Sequence, residues 1–573
     1  MTTTPESINI TTKDSPGEIN EESQSNKPTA SIEFYLFAPT IKWAALTGDF
    51  NGWQDTEMIK GDDGYFRTRI DLADGKYEYK FRVESNSPWQ AGQRVLVADP
   101  QATAVNEANS DNSIRFIKNG QVITDEYQWK HDDKPLPPNP DVVIYELHVG
   151  DFAKDFQGLI KKLDYLQELG INAIELLPVP ANPGNYSWGY MPRHFFALEN
   201  SYGNSSDFKQ LVDECHGRGI RVIVDLVLNH AEPESPLVHM DHNYWFMEKN
   251  PDQFQYGPKF DYLHYDEWRK FFPAREFGKL VTRYWVTEFH LDGIRFDGTF
   301  LIKNFDFLRE AGQVARDAVP MKPLFVIAEH IPVDPSVIRP DMPFESLWNN
   351  NFLYPIGANL VEKDFGGWKV WDWERVKQAL QPSLMGLNGP LGSIDYLANH
   401  DQHHFWHELE LNGITGDKAF RKAKLGMTIE FTAVGLPLLW MGEEFGEFND
   451  KSMDPRPLHF ELLEHPKNKD LYEHTRRLIR LRQTNGALKT DKIEFLHLDE
   501  KNRVIAWKRW DEAGTVVAVV VNFNDQPLKG YVVPNFPKEL NHEFIYDYPV
   551  QVNEQGNLLD DFGPSEAKIY QKI

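Results

Sequence analysis

Leu291-Asp292-Gly293-Ile294-Arg295-Phe296-Asp297-Gly298 is the stretch on which the reading of this chain turns. Apolar Ile294 and Phe296 alternate with Arg295 and Asp297, which is the period of a short strand. Two residues apart on a strand, Arg295 and Asp297 fall on one face. The guanidinium then favours the ionised carboxylate, and a positioned carboxylate is a candidate nucleophile. A structural ion pair would look the same in isolation, so the stretches around it carry the decision.

Three others share its shape, an apolar run that ends in polar residues. Upstream is Arg221-Val222-Ile223-Val224-Asp225-Leu226-Val227-Leu228-Asn229-His230; downstream are Leu324-Phe325-Val326-Ile327-Ala328-Glu329-His330 and Ile394-Asp395-Tyr396-Leu397-Ala398-Asn399-His400-Asp401. Apolar runs of this length, separated by helical stretches, predict buried parallel strands. In a (β/α)8 TIM barrel the chemistry sits at the C-terminal ends of such strands. Asp297, Glu329 and Asp401 each fall at such an end, and His230 and His400 join them. The expected fold is therefore α/β, a (β/α)8 barrel flanked by an N-terminal β-sandwich and a small C-terminal antiparallel β domain.

The 573 residues allow two or three domains. The formal charge of −26 argues against nucleic acid and anionic membranes and suits a neutral polymer. Sixteen tryptophans favour a carbohydrate protein slightly, because pyranose rings pack on flat aromatic faces. Cys215 is the only cysteine, which excludes an intrachain disulfide. No signal-like start and no long apolar run is present, so a cytoplasmic location is expected.

Residues 1–29 are polar and expected to be disordered. Short alternating runs with Gly, Asp and Asn turns predict a β-sandwich over 30–130. Leu136-Pro137-Pro138-Asn139-Pro140 is a stiff linker. Eight strand and helix alternations come next over 140–488, with an aromatic-rich insertion at 231–272, and short strands return over 489–573. The sixth strand is weak and placed near Ser346 to Phe352.

The four stretches, in order, resemble the four signature regions of glycoside hydrolase family 13, the α-amylase family. Gly48-Asp49-Phe50-Asn51-Gly52-Trp53, with Lys76-Tyr77-Glu78-Tyr79-Lys80-Phe81 after it, resembles a family 48 carbohydrate-binding module. Trp53 and Trp89 are its candidate sugar-stacking residues. The family resemblance implies a retaining enzyme acting on α-glucan polysaccharide or maltooligosaccharide. It makes Asp297 the nucleophile, Glu329 the acid/base and Asp401 the stabiliser of the distorted ring. Tyr190 would lie under that ring, His230 and His400 would donate hydrogen bonds to it, and Asp225 would orient Arg295. Arg295 is expected to support Asp297, whereas Glu329 has no obvious cation nearby. Asn229 matches a residue that can bind calcium in relatives, but the insertion shows no carboxylate cluster at ligand spacing. No metal and no cofactor are expected.

Within the family, Trp188-Gly189-Tyr190-Met191-Pro192, Met441-Gly442-Glu443-Glu444-Phe445-Gly446 and the binding module resemble glycogen branching enzymes. Asn399-His400-Asp401-Gln402 also resembles maltooligosyl trehalose trehalohydrolase. Branching is the favoured expectation, hydrolysis the alternative, and a non-catalytic glucan-binding protein the second alternative. A transferase must hold an acceptor sugar against water, and Tyr244, Trp245, Phe246 and Trp348 are the aromatic candidates for that role.

Overall fold

A computed structural model describes residues 29–573 apart from 110, 184, 185, 254 and 388. The expected disordered tail lies outside the described residues except for Thr29, which opens a strand.

Eight parallel strands form the central sheet: Ile144–Leu147 (β1), Ala173–Leu176 (β2), Arg221–Leu226 (β3), Gly293–Phe296 (β4), Phe325–Ala328 (β5), Ser346–Leu347 (β6), Ile394–Asp395 (β7) and Leu436–Trp440 (β8). Their spatial order is β6-β5-β4-β3-β2-β1-β8-β7. A parallel bridge between Trp348 and Ile394 joins β6 to β7 and closes the barrel. The strands are buried along their length, which is why their sequences are apolar runs and not alternations. Helix Phe156–Leu169 shows how the outer layer is specified. Leu159, Leu163 and Leu166 form its buried stripe. The Asp155 carboxylate caps it by accepting from the Gly158 N–H at 2.7 Å, and Gly170, at φ 102°, ends it.

Two elements differ from expectation. The sixth strand is only two residues long, because helix Asn350–Val361 takes over the segment read as strand. Pro355 hides that helix in the sequence, yet it lies inside the helix with Ile356 and Leu360 buried beside it. Between β5 and β6 the described chain holds a single 3-10 turn, Pro335–Ile338, instead of a full helix.

Before the barrel, Thr29–Phe37 pairs antiparallel with Tyr65–Ala73, and a second sheet is built around Gly75–Glu84. Phe34, Leu46, Phe81 and Val83 fill the space between the sheets. Met240, from the barrel insertion, is buried in that same core. Backbone contacts fasten the seam: the Asn86 N–H donates to the Met240 carbonyl at 2.9 Å, and the Ser85 hydroxyl donates to the His239 carbonyl at 2.7 Å. After the barrel, a six-stranded antiparallel sheet and a two-stranded one complete the chain. Among the described residues no helix is long and apolar enough to cross a membrane.

Candidate active site

Register places the chemistry. Asp225 on β3 sits opposite Arg295 on β4, and Arg295 opposite Ile327 on β5. Two residues beyond Ile327, on the same face, is Glu329. The buried Arg295 guanidinium therefore meets three carboxylates. It pairs with Asp225 through Nη1, reaches Asp297 Oδ1 at 3.1 Å from the same nitrogen, and reaches Glu329 Oε2 at 2.9 Å from Nη2. Trp348 lies against its flat face, 4.1 Å from ring centroid to guanidinium carbon. Glu329 thus has the cation that its sequence neighbours lack.

Burial sets the proton affinities. It pushes Asp297 up to about 7, with Arg295 pulling down and the charges of Asp225 and Asp401 pushing up. It pushes Glu329 up to about 8, against Arg295 and the Gly298 N–H and together with Asp297 and Asp401. Arg295 acts on Asp297 in the expected direction, favouring the anion, while desolvation of three buried carboxyls that share the one guanidinium works against it. The charge of Asp297 adds to the burial that raises Glu329, so the two carboxyls titrate together. Backbone bonds fix the acid further. The Gly298 N–H donates to Glu329 Oε2 at 2.7 Å, and the Thr299 hydroxyl donates to the Glu329 carbonyl at 2.6 Å.

Asp401 stands opposite, at the end of the β7 segment. Desolvation works to raise its affinity, but His400, Lys451 and Arg295, in that order, hold it below the usual carboxylate range. Lys451 Nζ lies 3.3 Å from Asp401 Oδ1 and donates to its carbonyl at 2.7 Å. His400 is pushed down to about 3 by burial and is neutral at pH 7. Its Nδ1 is 2.6 Å from Glu146 Oε1, and its Nε2 is 3.7 Å from Asp401 Oδ2. The Nε2 edge remains directed at the site.

Tyr190 stacks on His400 at 4.8 Å, and its hydroxyl donates to Asp225 Oδ2 at 2.5 Å. It therefore lies beside the guanidinium and the carboxylates. His230 joins the same wall but differs from expectation. Its Nε2 is 2.8 Å from the Tyr190 carbonyl, Asn229 Nδ2 is 3.5 Å from its Nδ1, and burial lowers its affinity to about 4. A neutral His230 with both nitrogens engaged offers a ligand its ring and not a free N–H donor.

Three residues here were missed in the sequence. Glu146 on β1 and Glu175 on β2 are register partners, buried inside the barrel. An ionisable residue within an apolar parallel strand was the available signal for both. The third is Tyr256 from the insertion, stacked on His230 at 5.6 Å with 48% of its surface exposed. The charges of Asp401, Asp297 and Glu329 all act on its hydroxyl. The aromatic candidates read from sequence do not play this part. Tyr244, Trp245, Phe246 and Trp348 are all buried, the first three in the packing of the insertion and Trp348 under Arg295. Among the described residues no group of three or more His, Cys, Asp or Glu side chains converges as a metal site.

Comparison with known proteins places this geometry. The family profile for the α-amylase catalytic domain matches residues 139–273. That for carbohydrate-binding module 48, the isoamylase N-terminal domain, matches residues 21–102. The malto-oligosyltrehalose trehalohydrolase of Saccharolobus solfataricus is 30% identical over 422 residues, 69% of this chain and 70% of that protein. The chain belongs to the α-amylase family, glycoside hydrolase family 13. The 1,4-alpha-glucan branching enzyme of Oceanobacillus iheyensis is another family relative, 26% identical across 95% of this chain and 87% of its own length. In fold, the chain superposes on the maltose complex of type I pullulanase from Bacillus subtilis with a TM-score of 0.77, covering 95% of this chain and 85% of that one at 22% identity. As a family 13 enzyme it carries the eight-stranded barrel between antiparallel β structures at both ends.

Proposed function

We propose that this enzyme is a retaining α-glucan transferase that branches 1,4-linked chains through a glycosyl-Asp297 intermediate. The observation that carries the retaining chemistry is the shared guanidinium. Asp297 and Glu329 both form ion pairs with the one Arg295 guanidinium, at 3.1 and 2.9 Å, which sets the two carboxyl groups side by side. Two carboxyls on one guanidinium suit the short spacing of a retaining pair, about 5–5.5 Å, better than the about 6.5–9.5 Å that admits water in an inverting one. The Asp297 carboxylate attacks the anomeric carbon as Glu329 gives its proton to the departing glycosidic oxygen. An acceptor hydroxyl then attacks the same carbon, Glu329 takes its proton, and the bond to Asp297 breaks. Asp401 and the Nε2 edge of His400 hold the ring hydroxyls between the two steps, and Tyr190 supports the ring.

The fate of the intermediate depends on the acceptor. Water at about 55 M competes with any sugar hydroxyl, so the acceptor must be held at high effective concentration. Tyr256 supplies an exposed ring at the site for that purpose. Transfer is further supported by the branching-enzyme relative, whose match runs through the N-terminal strands, the barrel and the C-terminal strands. Hydrolysis remains the second reading, because the trehalohydrolase shares the higher identity.

Incubation with amylose tests both. Branch points should accumulate with few new reducing ends. A product dominated by reducing ends, or trehalose released from a maltooligosyl trehalose, would put the hydrolytic reading in its place. Tyr256→Ala should raise the ratio of new reducing ends to branch points several-fold. Tyr256→Phe, which keeps the ring, should behave as the parent does. An unchanged ratio in the alanine variant would remove Tyr256 from acceptor binding.

A further inference from the structure

Glu146 stands inside the barrel with no part in the steps above. Strand pairing fixes its place. On β1 it is the register partner of Glu175 on β2 and of Trp440 on β8, and its carbonyl accepts from the Met441 N–H at 3.0 Å. Its side chain is buried, with Oε1 2.6 Å from His400 Nδ1. Among the described residues its other oxygen, Oε2, has no hydrogen-bond partner. Aromatic rings clamp the histidine: Tyr190 stacks on it at 4.8 Å, and Trp348 and Trp188 lie 5.7 and 5.8 Å from it. The packing thus sets which nitrogen meets Glu146 and which meets the site.

A short bond between a carboxyl and a neutral imidazole has two forms. An ionised Glu146 accepts from Nδ1–H and leaves Nε2 bare. A protonated Glu146 donates to Nδ1 and leaves the ring hydrogen on Nε2. The surroundings favour the second. An anion here would have one buried oxygen without a donor, beside a second buried acid, Glu175. The cation of the site is committed elsewhere, since Arg295 pairs with Asp225, Asp297 and Glu329. Burial first, and then the charge of Glu175, push the Glu146 carboxyl well above the usual range; Arg295 opposes the rise, and Asp401 and Asp225 add to it. On the far side of the ring, Nε2 lies 3.7 Å from Oδ2 of Asp401, a carboxylate held ionised. A bare nitrogen would turn its lone pair on that anion, whereas an N–H is attracted to it.

We infer that Glu146 is a positioning residue that keeps its proton, donates it to His400 Nδ1 and so fixes the tautomer that presents Nε2–H to the sugar hydroxyls. This reverses the arrangement at a histidine base, where an anion accepts from Nδ1–H and leaves Nε2 free to take a proton. His400 is here a donor alone, and the proton transfers of both steps stay with Glu329. The inference rests on the glycosyl-transfer reading of the site.

Nitrogen NMR of the histidine-labelled parent enzyme reads the tautomer without any turnover, His400 being assigned by the signals lost in His400→Asn. Nε2 should show the shift and hydrogen coupling of an N–H, and Nδ1 the shift of a bare nitrogen. A hydrogen found on Nδ1 overturns the inference. Initial rates on amylose give the second readout. Glu146→Gln carries an amide N–H that donates to Nδ1 from the same place, so its kcat should stay within about threefold of the parent. Glu146→Met is as long but has no N–H, and should lose about tenfold in kcat, the worth of one hydrogen bond. Equal losses in the two variants overturn the inference, because they would show that the carboxylate itself is needed; so does a methionine variant as fast as the parent. An inactive parent in which Nε2 carries the hydrogen would place the failure in the glycosyl-transfer reading and not in the bond between Glu146 and His400.

Discussion

Asp297→Asn is expected to lower kcat by about 10^4-fold or more while leaving the fold in place. The amide keeps the shape of the carboxylate and still offers an oxygen to Arg295, which now touches Oδ1 at 3.1 Å. What it loses is the nucleophile. Without it no covalent glycosyl-enzyme forms, and intact-mass measurement after addition of an α-glycosyl fluoride should show unmodified protein. Glu329→Gln should separate the two roles. Its first step should fail with sugar leaving groups, which need a proton, and proceed with fluoride, so labelled enzyme accumulates. The parent enzyme should give a bell-shaped pH profile, because Asp297 must be ionised and Glu329 protonated. Burial has raised both, to about 7 and about 8, so the active window lies near neutrality instead of in the acid range of free carboxylates. Near-normal turnover by Asp297→Asn would remove it as nucleophile.

The strands and their polar ends were legible because a buried parallel strand writes itself as an apolar run, and a strand-end acid interrupts that run. Asp225, Arg295, Asp297, Glu329 and Asp401 all stand out in this way, and the structure gathers them on one guanidinium and the wall facing it. What sequence could not supply was the sharing. Arg295 is adjacent in sequence only to Asp297, and its contact with Glu329 depends on the β4–β5 register. The aromatic residues were misassigned for a related reason. Trp245 and Tyr256 occur in the same insertion with similar surroundings in sequence, yet one is packed in a core and the other stands at the site. Only the path of the insertion, bridged back to His230 through Lys259, separates them.

The second large effect belongs to Arg295. Arg295→Met should destabilise the protein by about 3–5 kcal/mol on the alkaline side of neutrality, because it leaves a cluster of buried acids without their cation. The loss should depend on pH, and the raised affinities set its sign. Asp225 and Asp297 at about 7 and Glu329 at about 8 bind their protons more tightly in the folded state than in the unfolded chain, where such groups titrate near ~4. A carboxyl raised in this way favours folding fully below its unfolded value, and that contribution is lost as pH rises through the folded value. Arg295 limits the loss by lowering all three, so removing it raises them further and enlarges the cost on the alkaline side. The stability gap between Arg295→Met and the parent should therefore stay small from pH 5 to about pH 7 and widen above it, as the parent's acids ionise and the variant's do not. Arg295→Lys separates charge from geometry. An ammonium restores most of the electrostatic term but cannot bond Asp297 and Glu329 through two fixed nitrogens, so the stability gap should close while kcat stays roughly 10^2–10^3-fold low. Thermal unfolding of the three proteins across that pH range decides the matter. An equal deficit for Arg295→Met at pH 5 and pH 8 would mean that Arg295 acts through its packing against Trp348 and not through its charge.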